Sequence, residues 1–374
     1  MSNAEHSRHA EIVGWGMYVP ERIVTNDDLA QVLDTSDQWI RERTGIERRH
    51  FASDAQATSA MAIEAAREAL RVADADPYDI DLVLVSTMTP DFPTPSTACL
   101  VQDALGAIHA GALDVNAGCS GFVYALALAR EAIVSGEQDV VLVIGAETMS
   151  RMVDMQDRST AVLFGDGAGA LLLRASEGPA GVLATVLGAD GSGGDLLMVR
   201  AGGSALPASE ETVTKRQHYL TMDGNQVFRF ATRVLPRAVE QVVERAGLTL
   251  GDVDWVIPHQ ANVRIIEASA RRLGLAMERF YVNVNEYGNT SAASIPIAVC
   301  EAVRRGEVMP GQRLVLVGFG AGLTWASALV QWGPSVEEAR AVLYRRIWRW
   351  LLYHWADLRS RLRRLSRIAL DRLA

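Results

Sequence analysis

Three stretches of this chain occur twice, in the same order and at nearly the same spacing. "DIDLVLVST" (79–87) corresponds to "DVDWVIPHQ" (252–260), 173 residues further on. "CSGFVYALALAREAIVSG" (119–136) corresponds to "TSAASIPIAVCEAVRRG" (290–306). "DVVLVIGAE" (139–147) corresponds to "RLVLVGFGA" (313–321), 174 residues further on. Each first block leads into a helical stretch that ends in a Leu-Gly pair, at Leu105-Gly106 and Leu273-Gly274. Matches in register mark an internal duplication. Whatever the first half folds into, the second must fold into as well, and the two must pack together.

Each half reads as strand, helix, strand, helix, strand, then a glycine-rich strand pair. The strands are short and apolar without alternation, as strands covered on both faces are. The helix predicted over 121–134 is alanine-rich and apolar on most sides, which suits a place between two sheets. The predicted fold is α/β: two duplicated βαβαβαββ halves, 10–175 and 176–332, stacked in five layers, α-β-α-β-α. With 374 residues, 49% of them hydrophobic, the chain has enough material for such a core. Residues 191–218, rich in Gly, Ser and polar residues, predict a long surface connection. "FGDGAGALLLR" (164–174) contains G-x-G-x-G, but strand-like residues follow it where a dinucleotide loop needs a helix. Close strand packing is the expectation there.

The net charge of −9 is unevenly spread. Residues 336–374 hold ten arginines against four acids, so the tail is basic on an acidic body. That asymmetry predicts a separate interaction role for the tail. Nucleic acid is not an expected partner. Three cysteines without metal-ligand spacing argue against a disulfide framework or a zinc site. The first ten residues have no apolar signal core, and no run of eighteen apolar residues occurs. The expected compartment is a reducing cytoplasm.

The stretch "DVNAGCSGF" (114–122) places Cys119 between a strand and a helix. A helix N-terminus presents unsatisfied N–H groups and a positive dipole end, which favour thiolate over thiol. Gly118 and Gly121 allow a close approach of backbone or substrate. Cys99 and Cys300 fall inside helical patterns and are expected to be buried and inert. The duplication puts His259 at a strand end, where sites in α/β sheets gather. It puts Asn289 beside the position equivalent to Cys119. Taken singly, a packed histidine and a helix-capping asparagine are ordinary. A pseudo-twofold between the halves directs all three to one centre. No glutamate adjoins Cys119 in the sequence.

The stretches "SDQWIRERTGIERRH" (36–50), "NAGCSGF" (116–122), "FGDGAGA" (164–170), "PHQANVRI" (258–265), "YGNTSAAS" (287–294) and "FGAGLTW" (319–325) resemble those of the β-ketoacyl-acyl-carrier-protein synthase III family, thiolase-fold condensing enzymes. The resemblance runs from about residue 10 to 332. It implies a triad of Cys119, His259 and Asn289, with an oxyanion held by the N–H groups of Cys119 and Ala321. Asn262 matches a water-holding residue and Phe319 a residue packed against the site. Trp39, Arg43 and Arg158 match coenzyme A contacts. Arg229, Arg264, Arg271 and Arg272 match a basic patch facing acyl carrier protein. Thr94 matches a position where members restricted to short primers carry a bulky aromatic from the second subunit, which implies a roomier acyl pocket here. The implied reaction is decarboxylative condensation of an acyl-CoA with malonyl-acyl-carrier-protein by a homodimer, without metal or redox cofactor. Open alternatives are a starter-unit synthase of another pathway, a head-to-head acyl condenser, an inactive scaffold subunit and a cysteine hydrolase.

The resemblance ends before "SVEEARAVLYRRIWRWLLYHWADLRSRLRRLSRIALDRLA" (335–374), which contains neither Gly nor Pro. Val336, Ala339, Leu343, Ile347, Leu351, Trp355, Leu358, Leu362, Leu365 and Ala369 recur at three- and four-residue steps, one apolar helical stripe. Ser335 is placed to cap the helix, with Glu337 and Glu338 in its first turn. Three of the eight tryptophans lie here, at 348, 350 and 355. A basic amphipathic helix is predicted, with a peripheral membrane contact as its role. Packing of the stripe on the catalytic body or on a second subunit is the alternative.

Overall fold

The computed structural model describes residues 8–333 and, in the tail, residues 351–353, 355–356, 358–360 and 362–363. Its first half begins with β1 (His9–Tyr18). A small excursion follows, of β2 (Ile23–Thr25), α1 (Asn26–Ala30), α2 (Asp37–Thr44) and β3 (Arg48–His50), with β2 and β3 paired antiparallel. Then come α3 (Thr58–Val72), β4 (Leu82–Ser86), α4 (Thr97–Leu105), β5 (Gly111–Val115), α5 (Gly121–Val134), β6 (Val140–Thr148), α6 (Arg158–Ala161) and β7 (Asp166–Ser176). The second half runs through β8 (Gly181–Ala189), β9 (Leu197–Val199), α7 (Glu210–Thr214), β10 (Leu220–Met222), α8 (Gly224–Arg245), β11 (Trp255–Pro258) and α9 (Val263–Leu273). It closes with α10 (Val284–Tyr287), α11 (Ser294–Arg304), β12 (Arg313–Gly320) and β13 (Thr324–Gln331).

The two main sheets have the same plan. The first has the order β1-β7-β6-β4-β5 and the second β8-β13-β12-β11. In both, the inner pairs of the βαβ units are parallel and the closing strand pair is antiparallel. Among the described residues the second sheet lacks a counterpart of β5; a single parallel bridge between Val256 and Phe280 stands in its place.

Helices α5 and α11 lie between the sheets, α3 and α4 cover the first sheet, and α8 and α9 cover the second. This is the five-layer α-β-α-β-α stack. Every residue of β6 is buried, which explains why the strand shows no alternation. Phe122, Leu126 and Ile133 of α5 sit in one core with Ile295 and Val299 of α11. Glycines bring α11 down onto the first sheet. A Cβ on Gly145 would stand 2.3 Å from the Ala292 carbonyl oxygen, and one on Gly169 would stand 2.7 Å from the Ile297 nitrogen. The G-x-G-x-G run is therefore the sheet side of a helix contact.

Residues 191–218 depart from a bare surface connection. They carry β9 and α7, and β9 pairs antiparallel with β10. Leu197 and Leu220 are buried by that pairing. The glycines and serines around 191–204 mask a short apolar run, 196–199, whose partner strand lies some twenty residues downstream.

The described tail residues are helical and lie on the first half. Ala356 is buried over Gly106, and Tyr353 packs on the core beneath α3 and α4. The Arg67 guanidinium stands 5.0 Å over the Tyr353 ring, and the Ser360 hydroxyl donates to the Asp103 carboxylate. The expectations for the stripe at 336, 339, 343, 347, 365 and 369, and for the cap at Ser335, lie outside the described residues.

Candidate active site

Strand β5 stops at Val115, and the chain turns through 116–120 before α5 begins. Gly118 makes that turn with φ of 53°, a left-handed value that glycine adopts without strain. The turn also meets the loop after β12 at close range. A Cβ on Gly118 would lie 2.8 Å from the Ala321 nitrogen, and one on Gly320 would lie 2.5 Å from the Cys119 nitrogen. The backbone N–H groups of Cys119 and Ala321 are thus brought into one small region by two glycines, one from each half.

Cys119 opens into a cavity of about 150 Å³. His259, Asn289, Phe319 and Asn262 line the same cavity, with an apolar wall from Met88, Leu197, Leu220 and Met222. His259 follows β11, and its N–H donates to the Val317 carbonyl over 2.8 Å. Its Nδ1 lies 2.6 Å from the Ser294 hydroxyl, and its ring meets Phe319 edge-on at 5.3 Å between centroids. Burial lowers its pKa to about 3, so the imidazole is neutral.

Asn289 is held by its backbone, not by a helix end: its N–H donates to Leu163 and its carbonyl accepts from Gly165. Its Oδ1 accepts from the Ser291 N–H over 2.9 Å. With Oδ1 so anchored, Nδ2 is the atom left to serve the cavity. Helix α11 begins only at Ser294, so Asn289 does not cap it.

The sequence expectation of a thiolate at Cys119 is overturned. Complete burial pushes its pKa up to about 12; the Ser291 hydroxyl works against that rise and Glu147 adds to it. Cys119 lies just outside α5, and loss of water outweighs the helix terminus. The resting residue is a thiol.

Glu147 is a buried carboxyl acting on Cys119 that reading along the sequence did not single out. It is the next-to-last residue of the fully buried β6 and accepts from the Thr87 and Thr89 hydroxyls, the Met88 N–H and, over 3.0 Å, the Ser291 hydroxyl. Burial raises its pKa to about 7 despite those four donors. The signal was in the duplication: Glu147 is the counterpart of Ala321, at the same place in the repeated strand.

The remaining expected residues fall into two groups around the cavity. On α2 and α6, the Arg158 guanidinium stands 4.8 Å and the Arg43 guanidinium 5.9 Å from the Trp39 ring. Asn262 Nδ2 donates to the Arg43 carbonyl over 2.9 Å, which ties this cluster to the cavity wall. Arg229 and Arg264 are exposed beside Phe228, another wall residue, with Arg264 5.7 Å over its ring. Arg271 and Arg272 are exposed in the last turn of α9, two turns further out. Thr94 is exposed and does not line the cavity of a single chain. Cys300 is buried, but Cys99, expected buried, is exposed at the third position of α4. An apolar helix pattern does not tell which face a small residue occupies.

Two profiles match the chain: 3-oxoacyl-[acyl-carrier-protein] synthase III over 113–191 and its C-terminal region over 243–332. The β-ketoacyl-[acyl-carrier-protein] synthase III of Caldanaerobacter subterraneus is 52% identical over 323 residues, 86% of this chain and 98% of the relative. The chain belongs to the β-ketoacyl-[acyl-carrier-protein] synthase III family. The relative from Symbiobacterium thermophilum is also 52% identical, over 87% of this chain and 99% of its own. The crystal structure of the Aquifex aeolicus 3-oxoacyl-[acyl-carrier-protein] synthase III superposes with a TM-score of 0.80 at 45% identity, covering 86% of this chain and 100% of that one. The priming β-ketosynthase of the R1128 polyketide pathway gives 0.81 at 38% identity, covering 88% and 98%. These synthase III relatives are matched almost end to end, so the basic tail is an addition to what they share with this chain.

Proposed function

We infer that the chain condenses an acyl-CoA primer with malonyl-acyl-carrier-protein, releasing carbon dioxide and coenzyme A, and so initiates fatty acid synthesis. The observation that carries this is one largely apolar cavity onto which a thiol, a neutral imidazole and an anchored carboxamide converge.

Cys119 Sγ attacks the primer carbonyl, the bond to the coenzyme A sulfur breaks, and an acyl-enzyme forms. The N–H groups of Cys119 and Ala321 hold the oxyanion of that addition. The thiol proton needs an acceptor. His259, at about 3, is a weak base, whereas Glu147, at about 7 and joined through Ser291, is a stronger one. The proton passes to that pair and then to the departing coenzyme A thiolate. In the second stage the malonyl carboxylate leaves as carbon dioxide. The enolate oxygen accepts from His259 Nε2–H and Asn289 Nδ2–H; a Ser294 hydroxyl donating to Nδ1 keeps the ring proton on Nε2. The enolate carbon attacks the acyl group, the bond to Cys119 breaks, and the freed thiolate takes up one proton.

The finer assignments belong to the same proposal. Trp39, Arg43 and Arg158 grip coenzyme A by stacking and by charge-assisted bonds to phosphate. Arg229 and Arg264 at the rim, with Arg271 and Arg272 beyond, meet an acidic carrier protein. Two copies pair, and Thr94 of the second copy leaves the acyl end roomier than an aromatic would. The units 10–175 and 176–332 act as one catalytic body, and the tail makes peripheral contact with a membrane. No resident cofactor is assigned.

A product assay tests the reaction. Malonyl-carrier protein and a panel of acyl-CoA primers should yield the β-ketoacyl-carrier protein. Free fatty acid without condensation would identify a hydrolase, and condensation of two acyl-CoA molecules without malonyl-carrier protein would identify a head-to-head enzyme.

A further inference from the structure

The tail helix touches the catalytic body with the wrong face for an apolar stripe. Tyr353, Ala356 and Ser360, at steps of three and four, make its contacts with α3 and α4. The stripe itself faces away: Leu351, Trp355, Leu358 and Leu362 are 46%, 62%, 53% and 56% exposed. Four large apolar side chains in one row on one helix face are more than scattered surface hydrophobicity. The helix is fixed to the body by one side, so the row has a fixed outward direction.

We propose that this row, Leu351-Trp355-Leu358-Leu362, seats the enzyme on an anionic lipid bilayer. It rests on the peripheral-contact reading above and names the face and the lipid class. Charge selects this occupant. Arg359 borders the row, its guanidinium 5.8 Å over the Trp355 ring, and Arg363 is exposed beside Leu362. Ten arginines and four acids in 336–374 make the segment cationic, whereas the chain as a whole carries −9. The body alone is therefore repelled by an anionic surface, and the tail supplies the attraction. A tryptophan and leucines flanked by arginines is the composition of a helix lying in the headgroup layer, apolar side down. A second copy fits the row less well, because tail against tail would bring two arginine-rich segments together. A free phosphate would satisfy the arginines but leave the apolar row uncovered.

The test uses the full chain and a Trp355→Ser/Leu358→Ser double variant, neither residue touching the active site or the docked face. Each is floated with phosphatidylcholine vesicles and with vesicles containing about one third phosphatidylglycerol. The full chain should float with the anionic vesicles, release as salt rises, and ignore the neutral ones. The double variant should partition about tenfold less or weaker still, given the transfer energy of the two side chains. Both should condense soluble substrates at equal rates, which separates this proposal from the catalytic one. A full chain that ignores anionic vesicles would overturn both the contact and the face. A double variant that floats as well as the full chain would overturn the face alone. A full chain whose oligomeric mass falls in the double variant would show the row covered by a second copy, and would overturn the lipid assignment.

Discussion

The two halves share a strand order but divide the chemistry. The first keeps its third strand, β5, which runs directly into the turn that holds Cys119. In the second, that strand has shrunk to one bridge at Phe280, and the chain reaches Asn289 through an irregular path pinned to Leu163 and Gly165 of the first half. The strand that leads to Cys119 is regular; the segment that carries Asn289 is fixed by the other half. The two bases differ in the same sense. Glu147, from the first half, is held in a nest of hydroxyls and is pushed up to about 7, whereas His259, from the second, is pushed down to about 3. The two residues are not counterparts in the repeat, yet burial pushes both toward their uncharged forms, the carboxyl toward the acid and the imidazole toward the neutral ring.

The sharpest way to break this division is at the nucleophile. Cys119→Ala should abolish the single acyl adduct seen by intact-protein mass after incubation with acyl-CoA, while Cys99→Ala and Cys300→Ala keep it. An adduct surviving in Cys119→Ala would move the chemistry elsewhere. Next in size, His259→Ala and Asn289→Ala should still acylate but condense roughly 100- to 1000-fold more slowly, the cost of one preorganised donor. Wild-type condensation in either would remove the second half from the enolate step.

The contact between halves is tested by Gly145→Ala, where a Cβ would stand 2.3 Å from the Ala292 carbonyl oxygen. Overpacking there should cost about 1–3 kcal/mol, read from the urea midpoint. An unchanged midpoint would mean that α11 can move off the first sheet.

The smallest effect is one of pH. Glu147 binds its proton more tightly folded than unfolded, so its contribution is full below its ordinary carboxyl range and is lost as pH rises through about 7. His259 has the opposite sign, costing stability as pH falls from its ordinary range toward 3. Glu147→Gln removes only the first dependence. Its melting temperature relative to wild type should therefore rise between pH 5 and pH 8, by a few degrees on the order of. A difference that stays flat across that range would show Glu147 ionised throughout.

Much of this was legible in the chain because duplication fixes relations between distant residues. The repeated "DVVLVIGAE" and "RLVLVGFGA" named β6 and β12 as the same strand, and their uniform apolarity placed them between layers. Cys119 and His259 were legible at the strand ends of matched blocks and Asn289 as the neighbour of the position matching Cys119, and one cavity is lined by all three. Less legible was whatever depends on which side of an element a residue faces. Cys99 and Cys300 sit in similar helical patterns, yet one is exposed and the other buried. The thiol state of Cys119 depends on the wall closing over it, including β9 and β10, which polar composition hid. Glu147 follows a continuous apolar run, and nothing in its neighbours along the chain points to the hydroxyls of Thr87, Thr89 and Ser291 that gather around it.

The shortened third strand of the second half also leaves the two halves with unequal edges. Among the described residues β5 has one neighbour in the first sheet, β4, and Leu113 at its centre is 44% exposed. In the second sheet the matching side of β11 is occupied, with the Tyr281 N–H donating to the Val256 carbonyl. An unpaired backbone row is a template for another strand, and a covered row is not. At this place in the repeat the first half presents such a row and the second does not. The asymmetry between two otherwise equivalent halves is thus a difference in what each can add at its edge, written into the backbone and independent of any side chain in the active site.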